Sequence, residues 1–232
     1  MKCVVFDSGP IISLTMNNLL WILEPLGKTA QIDFYIPEAV KRELVDEPLE
    51  TKRFMFEALQ VQELISRNVL KVYDDKITKE KTLDLLRLAN TSLSARGRNL
   101  VLLHYGEMAA VAATLQLKAL ALVIDERITR EMCEHPMHLA KIMSKRLRTS
   151  VTADKKLLYS FREKVRNVYI IRSTELAAVA FEKGLLDRYV SKGIPNPEKT
   201  LLKSILWGLK LDGTAINERG INAISDSVLK NR

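Results

Sequence analysis

Near its start the chain carries CVVFDSGP at residues 3–10, where a short apolar run leads to Asp7 and a turn sequence. A run this short, rich in valine and phenylalanine, predicts a strand that is buried on both faces. The run ALALVI at residues 119–124 has the same form and leads to Asp125. Because the carboxyl ends of parallel strands meet at one edge of a sheet, the sequence predicts two carboxylates close together there.

Outside these two runs, segments of strand type alternate with segments of helical type. Two further strands are predicted at residues 32–36 and 168–171, and a polar loop at 92–99. Helices are predicted at residues 11–23, 38–44, 52–67, 76–90, 107–117, 127–148, 154–165, 174–182, 201–209 and 218–229. Strands separated by helices pair in parallel, so we expect an α/β fold, a three-layer α/β/α sandwich around a mainly parallel sheet.

The length and composition are those of a globular chain. Its 232 residues, 47% hydrophobic and 28% charged, suffice for a large core. We expect residues 1–180 to form the main domain, with a helical insertion at about 46–99, and residues 181–232 to form a C-terminal helical extension. No window reaches the ~18 continuous apolar residues of a membrane span. Two cysteines, Cys3 and Cys133, cannot make a disulfide framework, so we expect a cytoplasmic protein with no membrane partner.

Positive charge is concentrated in one part of the chain. Residues 141–172 contain ten lysines and arginines and two acids, an excess equal to the net charge of +8 of the whole chain. Such a block attracts a polyanion, of which a nucleic-acid backbone is the commonest, or it is simply a solvated helical face. The candidate nucleic-acid contacts within it are Lys141, Lys145, Arg146, Arg148, Lys155, Lys156 and Arg172.

Two acids on predicted helices can join the two at the strand ends. Glu43 lies in PEAVKREL at residues 37–44, and Glu107 follows Gly106 in GEMAAVAA at residues 106–113. Carboxylates gathered at one place repel one another, and their desolvation is costly. A hard divalent cation with oxygen ligands removes that conflict, so the pattern favours a metal site. For an acid that ends a strand, a turn or helix cap is the ordinary alternative, and for Glu43 it is a solvated helical face.

The order of these segments, from VVFDSGPIISL at residues 4–14 to LVIDER at residues 122–127, resembles the PIN domain family. The resemblance covers about residues 1–45 and 100–172. It implies the sandwich fold and a metal-dependent ribonuclease that acts on RNA through a cluster of four acids with Mg²⁺ or Mn²⁺. By this resemblance the catalytic and metal-binding residues are Asp7, Glu43, Glu107 and Asp125, with Ser8 and Ser13 as accessory hydrogen-bonding residues.

The chain departs from the family pattern at two positions and in its length. Ala109 stands where PIN helices often carry a second acid, and Val123 stands where the family usually has a threonine. The chain is also much longer than the compact toxins of the family. These departures leave open a second function, an RNA-binding module of an RNA-processing or regulatory complex with weak or no nuclease activity. A toxin neutralised by an antitoxin is the third, and homodimers are common in the family.

Two neighbouring acids compete with the proposed ligands. Asp154 is the alternative to Asp125, although it has a plainer role as the N-cap of the helix that follows it. Glu126 is either an additional ligand or the ion-pair partner of Arg130, four residues further along the chain.

Cys133, His135 and His138 lie close in sequence and raise the question of a zinc site. Their spacing matches no familiar four-ligand set, and Pro136 intervenes. Structural or surface roles are therefore expected for all three.

Overall fold

The structure, a computed structural model, describes residues 2–191 and 193–230. Its strands are β1 Cys3–Phe6, β2 Asp33–Pro37, β3 Leu70–Tyr73, β4 Leu93–Ala95, β5 Arg98–Asn99, β6 Ala121–Val123, β7 Val151–Ala153 and β8 Ile170–Ile171. Its α-helices are α1 Ser8–Met16, α2 Leu23–Ala30, α3 Glu38–Lys41, α4 Glu47–Thr51, α5 Met55–Ser66, α6 Lys79–Thr91, α7 Tyr105–Leu117, α8 Arg127–Glu134, α9 Pro136–Leu147, α10 Lys155–Val165, α11 Ser173–Glu182, α12 Pro197–Leu211 and α13 Glu218–Lys230. A π-helical turn, Arg42–Asp46, joins α3 to α4, and 3₁₀ turns lie at Leu20–Ile22, Asp75–Thr78 and Asp187–Tyr189.

Five strands form a parallel sheet in the order β3-β2-β1-β6-β8. The central strand β1 pairs with β2 through Val4 and Phe34, and with β6 through Phe6 and Val123. Helices lie in the connections between these strands, because a parallel strand can follow another only after a crossover. The predicted α/β fold with a parallel sheet is confirmed.

Alternate residues of the central strands face opposite sides of the sheet. On one side, Val4 and Phe6 pack with apolar residues of α1, α2, α5, α11, α12 and α13. On the other side, Val5 and Leu122 pack with apolar residues of α6, α7, α8, α9 and α10. The sheet therefore lies between two helical layers, which confirms the predicted three-layer α/β/α sandwich.

Residues 46–99, which the sequence predicts as a helical insertion, also contribute a strand to the central sheet. The strand β3 pairs with β2 through Leu70 and Phe34 at the edge of the sheet. Its four residues, LKVY, are too few to give a periodic signal, and for this reason the sequence pattern misses it. The predicted loop at 92–99 likewise contains strands, because β4 and β5 form an antiparallel hairpin. The distant strand β7 also pairs antiparallel with β4, which makes a smaller, three-stranded sheet.

The predicted helix at 11–23 is also wrong in its bounds, because α1 ends at Met16, a 3₁₀ turn follows at Leu20–Ile22, and α2 begins only at Leu23. Pro25 is tolerated in the first turn of α2, where backbone N–H groups have no intrahelical acceptor. Gly27 does not end the helix. It allows a close approach instead, since a side chain there would lie 3.0 Å from Ile32 O.

The C-terminal helices pack on the same core as the first strand. Leu202 and Leu206 of α12 and Ile221 of α13 are buried in one cluster with Phe6. The predicted domain boundary at residue 180 falls inside α11. Within the described ranges, none of the helices has the length and apolar character needed to cross a membrane.

Candidate acid site

Two aspartates follow the adjacent strands β1 and β6 at the carboxyl edge of the sheet. Asp7 comes directly after β1, and its backbone N–H donates to Val123 O at 3.0 Å. Asp125 follows β6, and the two residues are buried, with 4% and 3% of their surface exposed. Gly9 lies beside both, since a side chain at that position would meet Asp125 Cβ at 3.7 Å and Asp7 Oδ2 at 3.8 Å. The two aspartates at the strand ends are therefore neighbours.

The environment of the Asp7 carboxylate disfavours its charge. Its Oδ1 is buried and has no hydrogen-bond partner among the described residues. Burial raises the pKa of Asp7 from 3.8 to about 7, and the negative charges of Glu107 and Glu43 add to the effect. The backbone N–H groups of Ser8 and Gly9 oppose it. Because a buried carboxylate oxygen without a donor is costly, this position is suited to a cation.

Glu107 lies in the first turn of α7 and is half-buried. Its Oε2 accepts the backbone N–H of His104 at 2.7 Å, which caps the start of the helix. Its Oε1 accepts the Thr129 hydroxyl at 2.6 Å. Burial raises the pKa of Glu107, whereas the bonds from Thr129 and His104 lower it. These two donors fix the carboxylate at the edge of the acid site.

Glu43 lies in the π-helical turn between α3 and α4. A side chain at Gly106 would meet Glu43 Oε1 at 2.6 Å, so the carboxylate lies against the bare backbone at the start of α7. Burial of the carboxyl raises the pKa of Glu43, and a hydrogen bond from the Ser8 side chain lowers it. Turns of this kind are frequent at functional sites, and this one carries an acid that contacts a neighbouring helix.

The Asp125 carboxylate accepts three hydrogen bonds. Oδ1 accepts the Ser173 N–H at 2.9 Å, and Oδ2 accepts the Ser173 hydroxyl at 2.8 Å and the Thr214 hydroxyl at 2.9 Å. Burial raises the pKa of Asp125, and these bonds together with the Ser13 hydroxyl lower it. The sequence carries no signal for the contacts with Ser173 and Thr214, because the partners are 48 and 89 residues away along the chain.

Glu126 caps the helix that follows it. Its carboxylate accepts the Thr129 N–H at 2.7 Å, which makes it the N-cap of α8. Arg130 pairs instead with Glu134, at 3.7 Å between Nε and Oε2, so the predicted ion pair between Glu126 and Arg130 is wrong.

Asp154, the alternative to Asp125, follows β7 in the smaller sheet and is exposed. Its carboxylate accepts the backbone N–H groups of Lys156 at 2.9 Å and Leu157 at 3.1 Å. Asp154 is therefore the N-cap of α10, which confirms the plainer of its two predicted roles.

Among the residues that the structure describes, no group of three or more His, Cys, Asp or Glu side chains is arranged to hold a metal ion. Cys133, His135 and His138 therefore do not form a metal site. Burial raises the pKa of the Cys133 thiol to about 12. The four acids at the edge of the sheet lie near one another, but their side chains are not arranged as a complete set of metal ligands either. Their hard oxygen donors, and above all the unsatisfied Oδ1 of Asp7, nevertheless fit a divalent cation.

A basic groove of about 580 Å³ lies between α8 and α9. Three of the predicted nucleic-acid contacts line it, namely Lys141, Lys145 and Arg146. Arg127 joins them, although the sequence pattern does not single it out. Glu126 also lies in the wall of this groove and connects it to the end of β6.

The other predicted nucleic-acid contacts divide into two kinds. Arg148, Lys155 and Lys156 are exposed and free to meet a ligand at the surface. Arg172 forms an ion pair with Glu175 in the first turn of α11, so its guanidinium is engaged within the fold.

A second groove, of about 590 Å³, reaches Glu43 and Gly106. Its wall carries charges of both signs, with the basic residues Arg42, Lys76 and Lys79 and the acidic residues Glu38, Glu43, Glu47 and Asp75. The sequence does not predict this groove, because its cations come from separate segments that carry no local excess of charge.

Comparison with known proteins gives one match. The model of a protein family described as PIN domain matches residues 3–136, which is more than half of the chain. No curated protein and no solved structure matches the chain. The matched segment contains the four acids of the candidate site, whereas Ser173 and Thr214 lie beyond it.

Proposed function

The chain belongs to the PIN domain family, and we propose that it is a divalent-metal-dependent ribonuclease. PIN domains form a nuclease-like superfamily and generally depend on divalent metals. The proposed reaction is the hydrolysis of RNA phosphodiester bonds, with Mg²⁺ or Mn²⁺ as the cofactor. The proposed site consists of the acids Asp7, Glu43, Glu107 and Asp125.

The observation that supports this proposal most is the state of the buried Asp7 carboxylate. Its Oδ1 has no donor within the described residues, and its pKa is raised to about 7 by burial and by the charges of Glu107 and Glu43. The Asp154 carboxylate, in contrast, is exposed and caps a helix by accepting two backbone N–H groups. A hard cation beside Asp7 would neutralise several carboxylates at once and supply the missing partner.

In this proposal Asp7, Glu43 and Glu107 would hold the ion, and Asp125 would complete the set from the end of β6. When bound, a divalent ion stabilises negative charge on the scissile phosphate and lowers the pKa of a water molecule. The side chains of the protein orient this set before substrate arrives, as the Thr129 hydroxyl does for Glu107 at 2.6 Å. Such preorganisation reduces the entropy that is lost when the reacting groups are brought together.

The basic groove between α8 and α9 is the proposed RNA-binding surface. Arg127, Lys141, Lys145 and Arg146 present four cations there, whereas the carboxylate of Glu126 is occupied with a backbone N–H. A phosphate backbone that binds such a cluster releases counterions, so the affinity should fall steeply with salt. Because the groove meets the acid site at Glu126, an RNA strand bound in it would lie beside the acids.

An RNA-binding module without turnover is the second candidate, and the contacts of Asp125 favour it. This carboxylate already accepts three hydrogen bonds from Ser173 and Thr214. Ala109 also replaces the second helix acid that the family often has. In this alternative the basic groove would bind RNA, and Asp125 would only hold the C-terminal part of the fold.

Cleavage of end-labelled RNA, with DNA in parallel, distinguishes the two candidates in Mn²⁺, Mg²⁺ or EDTA. Asp7→Asn removes the unsatisfied carboxylate. Asp154→Asn is the matched control, an aspartate after another strand whose capping role asparagine keeps. We expect metal-dependent RNA cleavage that Asp7→Asn abolishes and Asp154→Asn retains.

The other outcomes are equally informative. RNA binding in EDTA by all three proteins, with no cleavage in either metal, would establish the binding module instead. Equal cleavage by the wild type and Asp7→Asn would contradict the proposed site.

A further inference from the structure

We propose that Thr214, in the segment between α12 and α13, is a positioning residue of the acid site. Its hydroxyl holds Asp125 in the orientation that the site uses, so the C-terminal helices are part of the nuclease rather than an appendage. This role rests on the proposed function. It concerns a residue outside the segment 3–136 that matches the family.

The end of α12 places Thr214 by a defined turn. The Thr214 N–H donates to Leu209 O at 3.0 Å, and the Gly213 N–H donates to Lys210 O at 3.4 Å, which are the paired bonds of a Schellman motif. The motif requires a residue with positive φ just after the helix, and Gly213 supplies it with a φ of 120°. The chain therefore leaves the helix at a fixed point and turns Thr214 towards the sheet.

Hydrogen bonds on both sides of Thr214 hold the segment between α12 and α13 in place. Before it, the Asp212 carboxylate accepts the Asn17 side-chain N–H from the end of α1 at 2.7 Å. After it, the Ala215 N–H donates to Asp125 O at 3.1 Å. These bonds do not involve the Thr214 side chain, so the segment should keep its place when that side chain is changed.

Thr214 and Ser173 converge on one oxygen of Asp125. Their hydroxyls lie 2.9 Å and 2.8 Å from Oδ2, and 2.7 Å from each other. All three residues are buried, with no more than 3% of their surface exposed, so water does not replace the hydrogen bonds between them. The Ser173 N–H on Oδ1 completes the set and leaves the carboxylate one orientation. Partners that orient a metal ligand in this way typically alter metal affinity by about 10- to 100-fold.

A purely structural role for the same bonds has a different consequence. If Asp125 only anchored the segment between α12 and α13, loss of the Thr214 hydroxyl would lower stability and leave metal binding unchanged. Thr82 offers a matched comparison, because it is also fully buried but donates to the backbone oxygen of Thr78, at 3.0 Å, rather than to an acid.

The test compares Thr214→Val, Thr214→Ser and Thr82→Val in the full chain. The measurements are Mn²⁺ affinity by titration calorimetry, kcat and KM for RNA cleavage, and the melting temperature. We expect Thr214→Val to weaken Mn²⁺ binding about tenfold or more and to lower kcat with an unchanged KM, because the basic groove is intact. Thr214→Ser should keep wild-type values because it keeps the hydroxyl, and Thr82→Val should change the melting temperature alone.

The outcomes separate this role from the proposed function. Wild-type Mn²⁺ affinity and kcat in Thr214→Val would overturn the positioning role and leave the proposed function standing. A wild-type chain that neither binds Mn²⁺ nor cleaves RNA would overturn the proposed function, and the positioning role with it. If Thr214→Val does not fold, Ser173→Ala is measured in the same way, because it removes the other hydroxyl and keeps the backbone N–H; wild-type values there would also overturn the role.

Discussion

Replacement of Asp7 by asparagine should stabilise the metal-free chain at neutral pH. The residue is 4% exposed, and burial, followed by the charges of Glu107 and Glu43, raises its pKa from 3.8 to about 7. The folded state therefore holds the proton more tightly than the unfolded state does. Each pKa unit corresponds to about 1.4 kcal/mol, so ionised Asp7 should cost the fold about 4 kcal/mol.

The pH dependence of this effect has a defined sign. Below about pH 4, Asp7 is neutral in both states, and the substitution removes no charge. Between about pH 4 and pH 7 the unfolded chain releases the proton and the folded chain keeps it, so wild-type stability falls as the pH rises. Asparagine is uncharged at every pH, so the stability of the variant relative to the wild type should increase across this window. Above about pH 7 the free energy of unfolding of the variant should be greater by about 4 kcal/mol.

Urea denaturation in EDTA at about pH 5, 6 and 8 measures this difference. Mn²⁺ at about 100 times its Kd should stabilise the wild type by about 2.7 kcal/mol and leave Asp7→Asn unaffected. Asp154→Asn reports the effect of the same substitution at an exposed aspartate that follows another strand. A variant that is no more stable than the wild type at the highest pH, or a difference that does not change with pH, would show that burial does not raise the pKa of Asp7.

Three further substitutions test the rest of the arrangement. Gly106→Ala should strengthen the first turn of α7 by about 0.5–1 kcal/mol, yet weaken Mn²⁺ binding about tenfold, because the new methyl group would lie 2.6 Å from Glu43 Oε1 and displace it. In calorimetric titrations this loss should not add to that of Glu43→Gln, and full additivity would show that Gly106 acts elsewhere. The double variant Lys141→Glu/Lys145→Glu should raise KM for RNA and flatten its dependence on salt while keeping kcat, and an unchanged salt dependence would exclude the basic groove. Asp154→Ala should cost about 1 kcal/mol in urea denaturation through the lost N-cap and leave cleavage unchanged, and a fall in kcat would return Asp154 to the candidate ligands.

The strands that position the site could be predicted because each is a continuous apolar run. Residues 3–6 and 119–124 both lead to an aspartate, and parallel pairing brings these ends to one edge of the sheet. The strand β3 could not be predicted in the same way. Its sequence, LKVY, mixes apolar and polar residues over only four positions, so it has no continuous apolar run. The strand lies at the edge of the sheet, where such a run is not required.

The four acids could be identified as candidates, but the state of each carboxylate could not. Asp7 and Asp125 follow strands of similar form, yet one has an unsatisfied oxygen and the other accepts three hydrogen bonds. The difference comes from Ser173 and Thr214, whose positions depend on how α11 and α12 pack against the core. Packing between distant segments leaves no local pattern, so only the folded chain shows it.

The acid site departs in three ways from the choices that favour folding. A buried carboxylate with an unsatisfied oxygen, a glycine in the first turn of α7 and a π-turn at Arg42–Asp46 each weaken the fold. The apolar core on both faces of the sheet can offset these costs in stability, but it does not explain why these three features are present. All three departures occur around Asp7, Glu43 and Glu107, where they bring the negative charges of these acids together. Asparagine at position 7 would serve a purely structural role better, so the presence of aspartate there favours a site that binds a cation.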